Sequence, residues 1–115
     1  MGTRFRLAVG AAAIAVAMQA SGQVTFFERP GFAGRSFTAD KQIRNFERFG
    51  FNDRASSVVV KRGVWEACDG ARFEGQCVVL RPGSYGSLNA IGLNNSVSSV
   101  RPVNRPEYGD GREFY

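Results

Sequence analysis

The sequence predicts an all-β sandwich made of two related halves. Short runs rich in β-branched and aromatic residues alternate with clusters of glycine, proline, asparagine and aspartate, a pattern typical of sandwiches and barrels. The two halves also repeat, because Phe32 and Gly34 recur 41 residues later as Phe73 and Gly75. Two copies are too few to bury a core as a solenoid. We therefore expect the halves to pack face to face.

The predicted strands are short and are separated by turn-forming residues. In chain order they cover residues 24–27, 36–39, 57–61, 64–67, 77–80 and 98–101. One connection, residues 41–49, has apolar residues at helical spacing instead: Ile43, Phe46 and Phe49. We expect one or two helical turns there, with the aromatic rings on the core. The alternative is an aromatic and basic strip for nucleic acid that includes Arg44 and Arg48; spaced aromatics favour the core, and we predict no nucleic-acid partner.

The first residues have the pattern of a secretory signal peptide. Arg4 and Arg6 precede an apolar stretch, residues 7–18, which is too short to span a bilayer comfortably and is followed by small and polar residues. We predict a signal peptide over residues 1–22, a secreted or periplasmic protein, and no membrane span in the mature form. A retained anchor or a buried helix is the alternative. Without residues 1–22 the net charge falls from +5 to 13 − 10 = +3.

The remaining chain is short enough for one domain. The whole sequence of 115 residues contains no histidine, which excludes a Ser-His-Asp or Cys-His catalytic unit, an HExxH zinc site and an imidazole pH switch. We predict that the protein is not an enzyme. Four carboxylates offer the alternative of a glycosidase pair, but nothing in their spacing singles out two of them. They are Glu28, Glu66, Asp69 and Glu74.

Two cysteines, Cys68 and Cys77, are the only pair in the sequence. In an oxidising compartment a single disulfide is the simplest interpretation. A hairpin that turns between Arg72 and Phe73 would place the two residues opposite each other, where a disulfide can form. The alternative is two buried thiols that pack as small apolar residues. A catalytic or metal-binding cysteine is disfavoured without histidine or a CxxC spacing.

Two polar segments occupy equivalent places in the repeat. Residues 52–57 (NDRASS) and 94–99 (NNSVSS) each present side-chain oxygens at their first, second and fifth positions. Hard cations such as Ca²⁺ are bound by six to eight oxygens drawn from such groups. Turn and capping chemistry is the alternative for one such segment alone. Recurrence in both halves favours a cation site.

Together these residues resemble the βγ-crystallin family, across nearly all of the predicted domain. Each Greek key of that family begins with an aromatic residue, four residues, a second aromatic, one residue and glycine, as in Phe27, Phe32 and Gly34. The microbial calcium-binding members carry (N/D)(N/D)xx(S/T)S in each key, and both segments here match it. The second key departs at Cys68, which stands where the first aromatic is expected; a disulfide to Cys77 would replace the packing of that ring.

The resemblance implies a Greek-key β-sandwich of two four-stranded sheets. It divides the chain into a domain over residues 23–103, with keys 24–62 and 63–103, and a tail over residues 104–115. The tail has no periodic apolar pattern and is predicted to be a flexible extension. Partner binding through its aromatic residues is the alternative.

The resemblance also implies two Ca²⁺ sites in a double clamp, to which each key contributes. Carried over by position, the ligands are the backbone carbonyls of Glu28, Arg54, Asp69 and Ser96, the hydroxyls of Ser56 and Ser98, and the side chains of Asp53 and Asn95. Asp53 is the one acidic side chain in this set, which predicts modest affinity, about 10⁻⁶ to 10⁻³ M.

The sequence therefore predicts an exported, non-enzymatic domain whose ligand is Ca²⁺ and whose fold the ion stabilises. The alternative is an exported inhibitor or adhesive module that uses the Greek keys as a scaffold, with little dependence on calcium. Such a module would bind an acidic protein partner through the tail or through its basic surface.

Overall fold

The computed structural model describes residues 22–93, 95–103 and 113–114. Nearly all of the predicted signal peptide, Asn94 and most of the predicted tail lie outside these ranges. The described residues form eight strands: β1 (Gln23–Arg29), β2 (Ala33–Ala39), β3 (Ser57–Arg62), β4 (Trp65–Cys68), β5 (Cys77–Leu80), β6 (Gly83–Tyr85), β7 (Ser99–Pro102) and β8 (Glu113–Phe114). They also form three 3₁₀ turns, Phe46–Phe49, Ala71–Phe73 and Asn89–Ile91. Within the same ranges, no helix is long and apolar enough to cross a membrane.

The strands form two sheets, and the first of them includes a strand from the second half. The first sheet has the order β2-β1-β3-β6, and all its pairs are antiparallel. In it, β6 belongs to the second half and the other three strands to the first. The second sheet has the order β7-β4-β5-β8. This crossing of the chain between sheets is the Greek-key arrangement, so the predicted all-β sandwich is confirmed.

The second sheet completes itself differently from the first. The first half offers it one bridge, in which Ile43 and Val100 exchange backbone hydrogen bonds of 2.9 and 3.0 Å. The fourth strand, β8, pairs in parallel with β5 at the other edge, Val78 opposite Glu113 and Val79 opposite Phe114. Three strands of this sheet are therefore antiparallel, and the fourth comes from the C-terminal segment. The sequence predicted no strand there.

The core lies between the sheets and is formed by inward-facing residues of both. On β1, Val24 and Phe26 are fully buried, as alternation along a half-buried strand requires. Trp65 and Leu80, paired across β4 and β5, are likewise 0% exposed. Burial of each such large side chain contributes about 1.5–3 kcal/mol. The hydrophobic effect thus holds the two halves together.

The connection over residues 41–49 forms one helical turn, within the one or two that its spacing predicts. Phe46–Phe49 is a single 3₁₀ turn that ends at Gly50, whose φ of 70° reverses the chain. Phe46 is buried, and its ring meets that of Phe26 edge to face at 5.2 Å. Phe49, however, is 51% exposed, so its predicted place in the core is wrong. Because the turn ends there, its ring lies at the rim of the sandwich, 5.2 Å from Phe37.

The predicted disulfide is confirmed. Cys68 and Cys77 are directly paired across β4 and β5 and are bonded, with the sulfurs 2.04 Å apart. In the first half, the rings of Phe27 and Phe32 pack edge to face at 5.9 Å. The second half has the disulfide at the place of Phe27, beside Phe73, whose carbonyl lies 3.8 Å from the Cys77 sulfur. The covalent bond therefore takes the place of one aromatic ring.

Candidate metal centre

The two polar loops that lead into β3 and β7 share a left-handed residue at the same position of their motif. Asp53 and Asn95, the second residue of each motif, both adopt left-handed conformations, with φ of 56° and 51°. Left-handed φ is most readily accepted by glycine, asparagine and aspartate. The residue type that a cation site needs at this position is therefore also a type that the turn accepts.

The loops cross over and contact each other through side-chain oxygens. The hydroxyl of Ser56 donates a hydrogen bond to Oδ1 of Asn95 at 2.6 Å. The hydroxyl of Ser98 approaches Oδ1 of Asp53 at 3.5 Å, a longer contact. Each pair takes its serine from one half and its amide or carboxylate from the other. We call these two contacts the crossed pairs.

Backbone hydrogen bonds hold each loop against the hairpin of its own half. The N–H of Ser56 donates to the carbonyl of Phe27, and the N–H of Ser98 donates to the carbonyl of Cys68, both at 2.8 Å. The next residue in each case is a predicted ligand, Glu28 or Asp69. Glu28 and Asp69 therefore each lie one residue after the carbonyl that accepts the hydrogen bond from the loop.

A shallow cavity of about 280 Å³ lies beside the first loop. Its lining brings together four predicted ligand residues and one neighbour: Glu28, Asp53, Arg54, Asn95 and Arg29. Two of these, Arg54 and Asp53, come from the first motif, and Asn95 comes from the second. The fold thus gathers residues that are more than 60 positions apart at their extremes into one depression.

The acidic side chains of the hairpins have partners of their own. Oε2 of Glu28 accepts a hydrogen bond from Nε of Arg35 at 2.9 Å within an ion pair. This hydrogen bond from Arg35 lowers the pKa of the Glu28 carboxyl below its ordinary value. Oδ1 of Asp69 accepts from the N–H of Gln76 at 2.9 Å. A Cβ at Gly75, where φ is 82°, would collide with that carboxylate. One oxygen of each carboxylate is therefore already engaged within its hairpin.

The last serine of each motif has a role that the sequence analysis missed. The hydroxyls of Ser57 and Ser99, both fully buried, each donate to one hairpin carbonyl and accept from one hairpin N–H. The partners are Arg29 O at 2.7 Å and Phe32 N at 3.0 Å for Ser57, and Gly70 O at 2.6 Å and Phe73 N at 3.0 Å for Ser99. Both serines therefore hold folded hairpins. Their recurrence in the repeat was the available signal.

A second group of metal-ligand types lies on β4 and β5. A carboxylate oxygen of Glu66 and the sulfurs of Cys68 and Cys77 lie within 4.8 Å of one another. Both sulfurs are in the disulfide, and a metal ligand requires the thiolate. The Glu66 carboxylate instead pairs with Nε of Arg101 at 2.7 Å. This cluster is therefore structural, and it is not a metal centre.

The crossed pairs are the better candidate on chemical grounds. All their atoms are oxygens, and the neighbouring carbonyls and carboxylate add more of the same kind. Hard oxygen donors of this mixture suit Ca²⁺ rather than metals that prefer imidazole or thiolate. The sequence contains no histidine, and neither cysteine is free.

Comparison with known proteins places the chain among crystallins. The model of the Beta/Gamma crystallin family matches residues 23–103. The chain is similar to gamma-crystallin N-A of Danio rerio, 32% identical over 103 residues, which cover 84% of this chain and 56% of that protein. It spans about half the length of the curated gamma-crystallins it matches.

Solved structures agree with the fold. A beta gamma crystallin from Ciona intestinalis is similar at a TM-score of 0.69 and 30% identity, covering 71% of this chain and all (100%) of that one. A transition-metal-ion-binding betagamma-crystallin from Methanosaeta thermophila is similar at 0.63 and 22% identity, covering 70% of this chain and 99% of that one. At that identity the second likeness shows the fold alone.

Proposed function

The chain belongs to the βγ-crystallin family, and on that premise we propose that it is an exported, non-enzymatic domain that binds Ca²⁺ at two sites shared between its halves. The crossed pairs are the observation on which the proposal rests. Each brings a serine hydroxyl of one loop to an amide or carboxylate oxygen of the other, at 2.6 and 3.5 Å. A cation bound at either pair would contact both halves at once.

The residues present fit a hard cation. The hydroxyls of Ser56 and Ser98 and the side chains of Asn95 and Asp53 supply neutral and charged oxygens. Backbone carbonyls would complete each site, and the four residues predicted to offer them are Glu28, Arg54, Asp69 and Ser96. Water would supply any remaining ligands, as it does in many calcium sites.

The nature of the donors favours calcium over a transition metal. The relative from Methanosaeta thermophila is described as binding transition-metal ions, which generally prefer nitrogen or sulfur ligands. Here neither is available, because histidine is absent and both cysteines are bonded. With a single acidic side chain, Asp53, we propose an affinity of about 10⁻⁶ to 10⁻³ M.

The bound ion would stabilise the folded state. Ligand that binds only the native protein adds about 2.7 kcal/mol at a hundredfold excess over the dissociation constant. Because both crossed pairs join loops of different halves, this stabilisation would act against separation of the two halves. No catalytic step is proposed.

Export is proposed from two features of the chain. Residues 1–22 have the pattern of a signal peptide. The Cys68–Cys77 disulfide is also of a kind that persists in secreted and periplasmic proteins and is rare in the reducing cytosol. Calcium is abundant in such compartments, so a site of modest affinity would be filled there.

Calorimetric titration of the oxidised protein with Ca²⁺, with melting curves recorded in parallel, tests the proposal. We expect two binding events and a rise in melting temperature. Ser56→Ala and Asn95→Ala lie in different halves but belong to one crossed pair. Each should weaken the same event by about tenfold, or ~1.4 kcal/mol.

The exposed serine of β2, Ser36, supplies the matched control, and Ser36→Ala should bind calcium as the wild type does. If neither heat nor a shift in melting temperature is seen at millimolar calcium, the proposal is wrong. A scaffold that binds a protein partner without calcium would then be the better explanation.

A further inference from the structure

We infer that this domain has a second ligand site, away from the crossed pairs, which binds a compound carrying two or more phosphate groups. The site is a cavity of about 680 Å³ between the connection that precedes β3 and the hairpin that follows β4. Arg44, Arg48 and Arg72 line it together with Ile43 and Phe49. Its volume is in the range of small-molecule sites. We call it the arginine cavity.

The charge of the arginine cavity is not compensated by its own lining. Among the residues that the structure describes, its charged lining consists of the three arginines, and no acidic side chain lines it. The ion pairs of the described residues, Arg35 with Glu28 and Arg101 with Glu66, involve other residues. Concave surfaces of one charge sign concentrate their field and attract ligands of the opposite sign. The arginine cavity is therefore suited to a multiply charged anion.

The backbone at Arg72 is an independent observation. Arg72 has a φ of 59°, and the equivalent residue of the first half is Gly31, with a φ of 70°. A side chain is disfavoured in this conformation, whereas glycine is not. Residues that retain such strain are concentrated at functional sites. The second half thus accepts a disfavoured conformation at an arginine that lines the arginine cavity.

A backbone hydrogen bond links two of the arginines. The N–H of Arg72 donates to the carbonyl of Arg44 at 2.8 Å, which joins the hairpin of the second half to the connection of the first. Two of the arginines that line the arginine cavity are therefore tied to each other at the backbone. A preformed arrangement of this kind reduces the cost of ordering the site when a ligand binds.

Phosphate is the anion that this composition favours. The planar guanidinium forms paired hydrogen bonds with phosphate oxygens, and each phosphate group carries up to two charges. Three arginines therefore match two or three phosphates better than three separate carboxylates. Phe49, 51% exposed, and Ile43 offer an apolar wall for the organic part of the ligand.

The ligand has two sources with this chemistry, a free polyphosphorylated compound and a phosphorylated lipid headgroup. Calorimetry with tripolyphosphate in calcium-free buffer tests the chemistry, with inorganic phosphate as the comparison. We expect tripolyphosphate to bind at least about tenfold tighter, because more than one arginine engages it. Sedimentation with phosphatidylcholine vesicles, with and without phosphatidylinositol bisphosphate, then distinguishes the sources. Binding that tripolyphosphate displaces identifies the headgroup, and binding to tripolyphosphate alone identifies the free compound.

Three single substitutions and one control test the location. Arg44→Gln, Arg48→Gln and Arg72→Gly should each weaken tripolyphosphate binding by about tenfold. Lys61→Gln removes one positive charge from an exposed position at the end of β3, outside the arginine cavity, and should change binding by less than about twofold. Circular dichroism spectra and melting curves of the same variants report whether they are folded.

Three results would overturn the inference. The first is an equal loss in Lys61→Gln and Arg44→Gln, which would mean that only net charge matters. The second is binding of inorganic phosphate as tight as that of tripolyphosphate. The third is tighter binding of a single-stranded oligonucleotide than of tripolyphosphate, which would indicate a nucleic-acid surface instead. Because the arginine cavity shares no residue with the crossed pairs, each of these results is independent of calcium binding.

Discussion

Replacement of Ser57 by alanine should destabilise the domain strongly, although the change removes a single oxygen atom. The Ser57 hydroxyl is fully buried and makes two hydrogen bonds, to Arg29 O at 2.7 Å and from Phe32 N at 3.0 Å. Alanine makes neither bond, so one carbonyl and one N–H of the folded hairpin are left unpaired. Each unsatisfied buried group costs about 1–3 kcal/mol.

The exposure of the partners sets where in this range the cost falls. Arg29 and Phe32 are themselves exposed residues, so water reaches part of the hairpin, and the lower half of the range applies. With two such groups, we expect a loss of about 2–4 kcal/mol in the free energy of unfolding. For a domain of this size, each kcal/mol shifts the melting temperature by about 4–8 °C. The variant should therefore melt at least ~8 °C lower.

Ser99→Ala provides an internal comparison, because Ser99 makes the equivalent bonds in the other half. Its partners, Gly70 and Phe73, are less exposed than those of Ser57, so the loss should be at least as large. Urea denaturation of both variants, at fixed calcium, measures it. Ser36→Ala on exposed β2 should stay within about 0.5 kcal/mol of the wild type. If Ser57→Ala or Ser99→Ala also did, the assigned role of these hydroxyls would be wrong.

Three further predictions follow from other contacts. Glu28→Gln tests the ion pair in which the Arg35 hydrogen bond lowers the pKa of Glu28 below its ordinary 4.5. The ion pair stabilises the folded state above pH 4.5, and this stabilisation is lost as the pH falls through the folded-state pKa of Glu28. The melting temperatures of the variant and the wild type should therefore converge in acid. A difference in melting temperature that persists in acid would contradict the assigned ion pair. Arg72→Gly relieves a disfavoured φ, and the gain in stability is partly offset because glycine makes the unfolded chain more flexible. The melting temperature should rise by ~2–4 °C. An unchanged or lower melting temperature would mean that Arg72 is not strained. Arg101→Met removes the guanidinium that pairs with the fully buried Glu66 carboxylate at 2.7 Å. Urea denaturation should show a loss of about 3 kcal/mol in the free energy of unfolding. A loss below ~1 kcal/mol would mean that water or another group replaces the guanidinium.

Strands with strong local patterns were predictable, and strands that depend on distant partners were not. The predicted run 77–80 coincides with β5 (Cys77–Leu80), where three of four residues are large and apolar. In contrast, β6 is only Gly83–Tyr85 and has no such pattern. It is a strand because β3 offers it an edge. Pairing of β8 with β5 is likewise a long-range event that no local propensity encodes.

The candidate metal centre was predictable in its residues because the repeat placed two oxygen-rich motifs at matching positions. The side-chain contacts that join Ser56 to Asn95, however, depend on how the halves cross. Of the arginine cavity, the sequence indicated one side only: Arg44 and Arg48 stand out beside the spaced aromatics, but Arg72 shares no motif or period with them. The three arginines come together because the hairpin that follows β4 packs against the connection over residues 41–49.

The crossed pairs also constrain how such a protein can change over generations. Because each pair takes one side chain from either half, a substitution in one loop alters a contact that the duplicate loop depends on. Substitutions in the loop of one half therefore also affect the other half, so the two halves do not change in sequence independently. The arrangement therefore favours the retention of both motifs, because the loss of either motif would weaken both contacts.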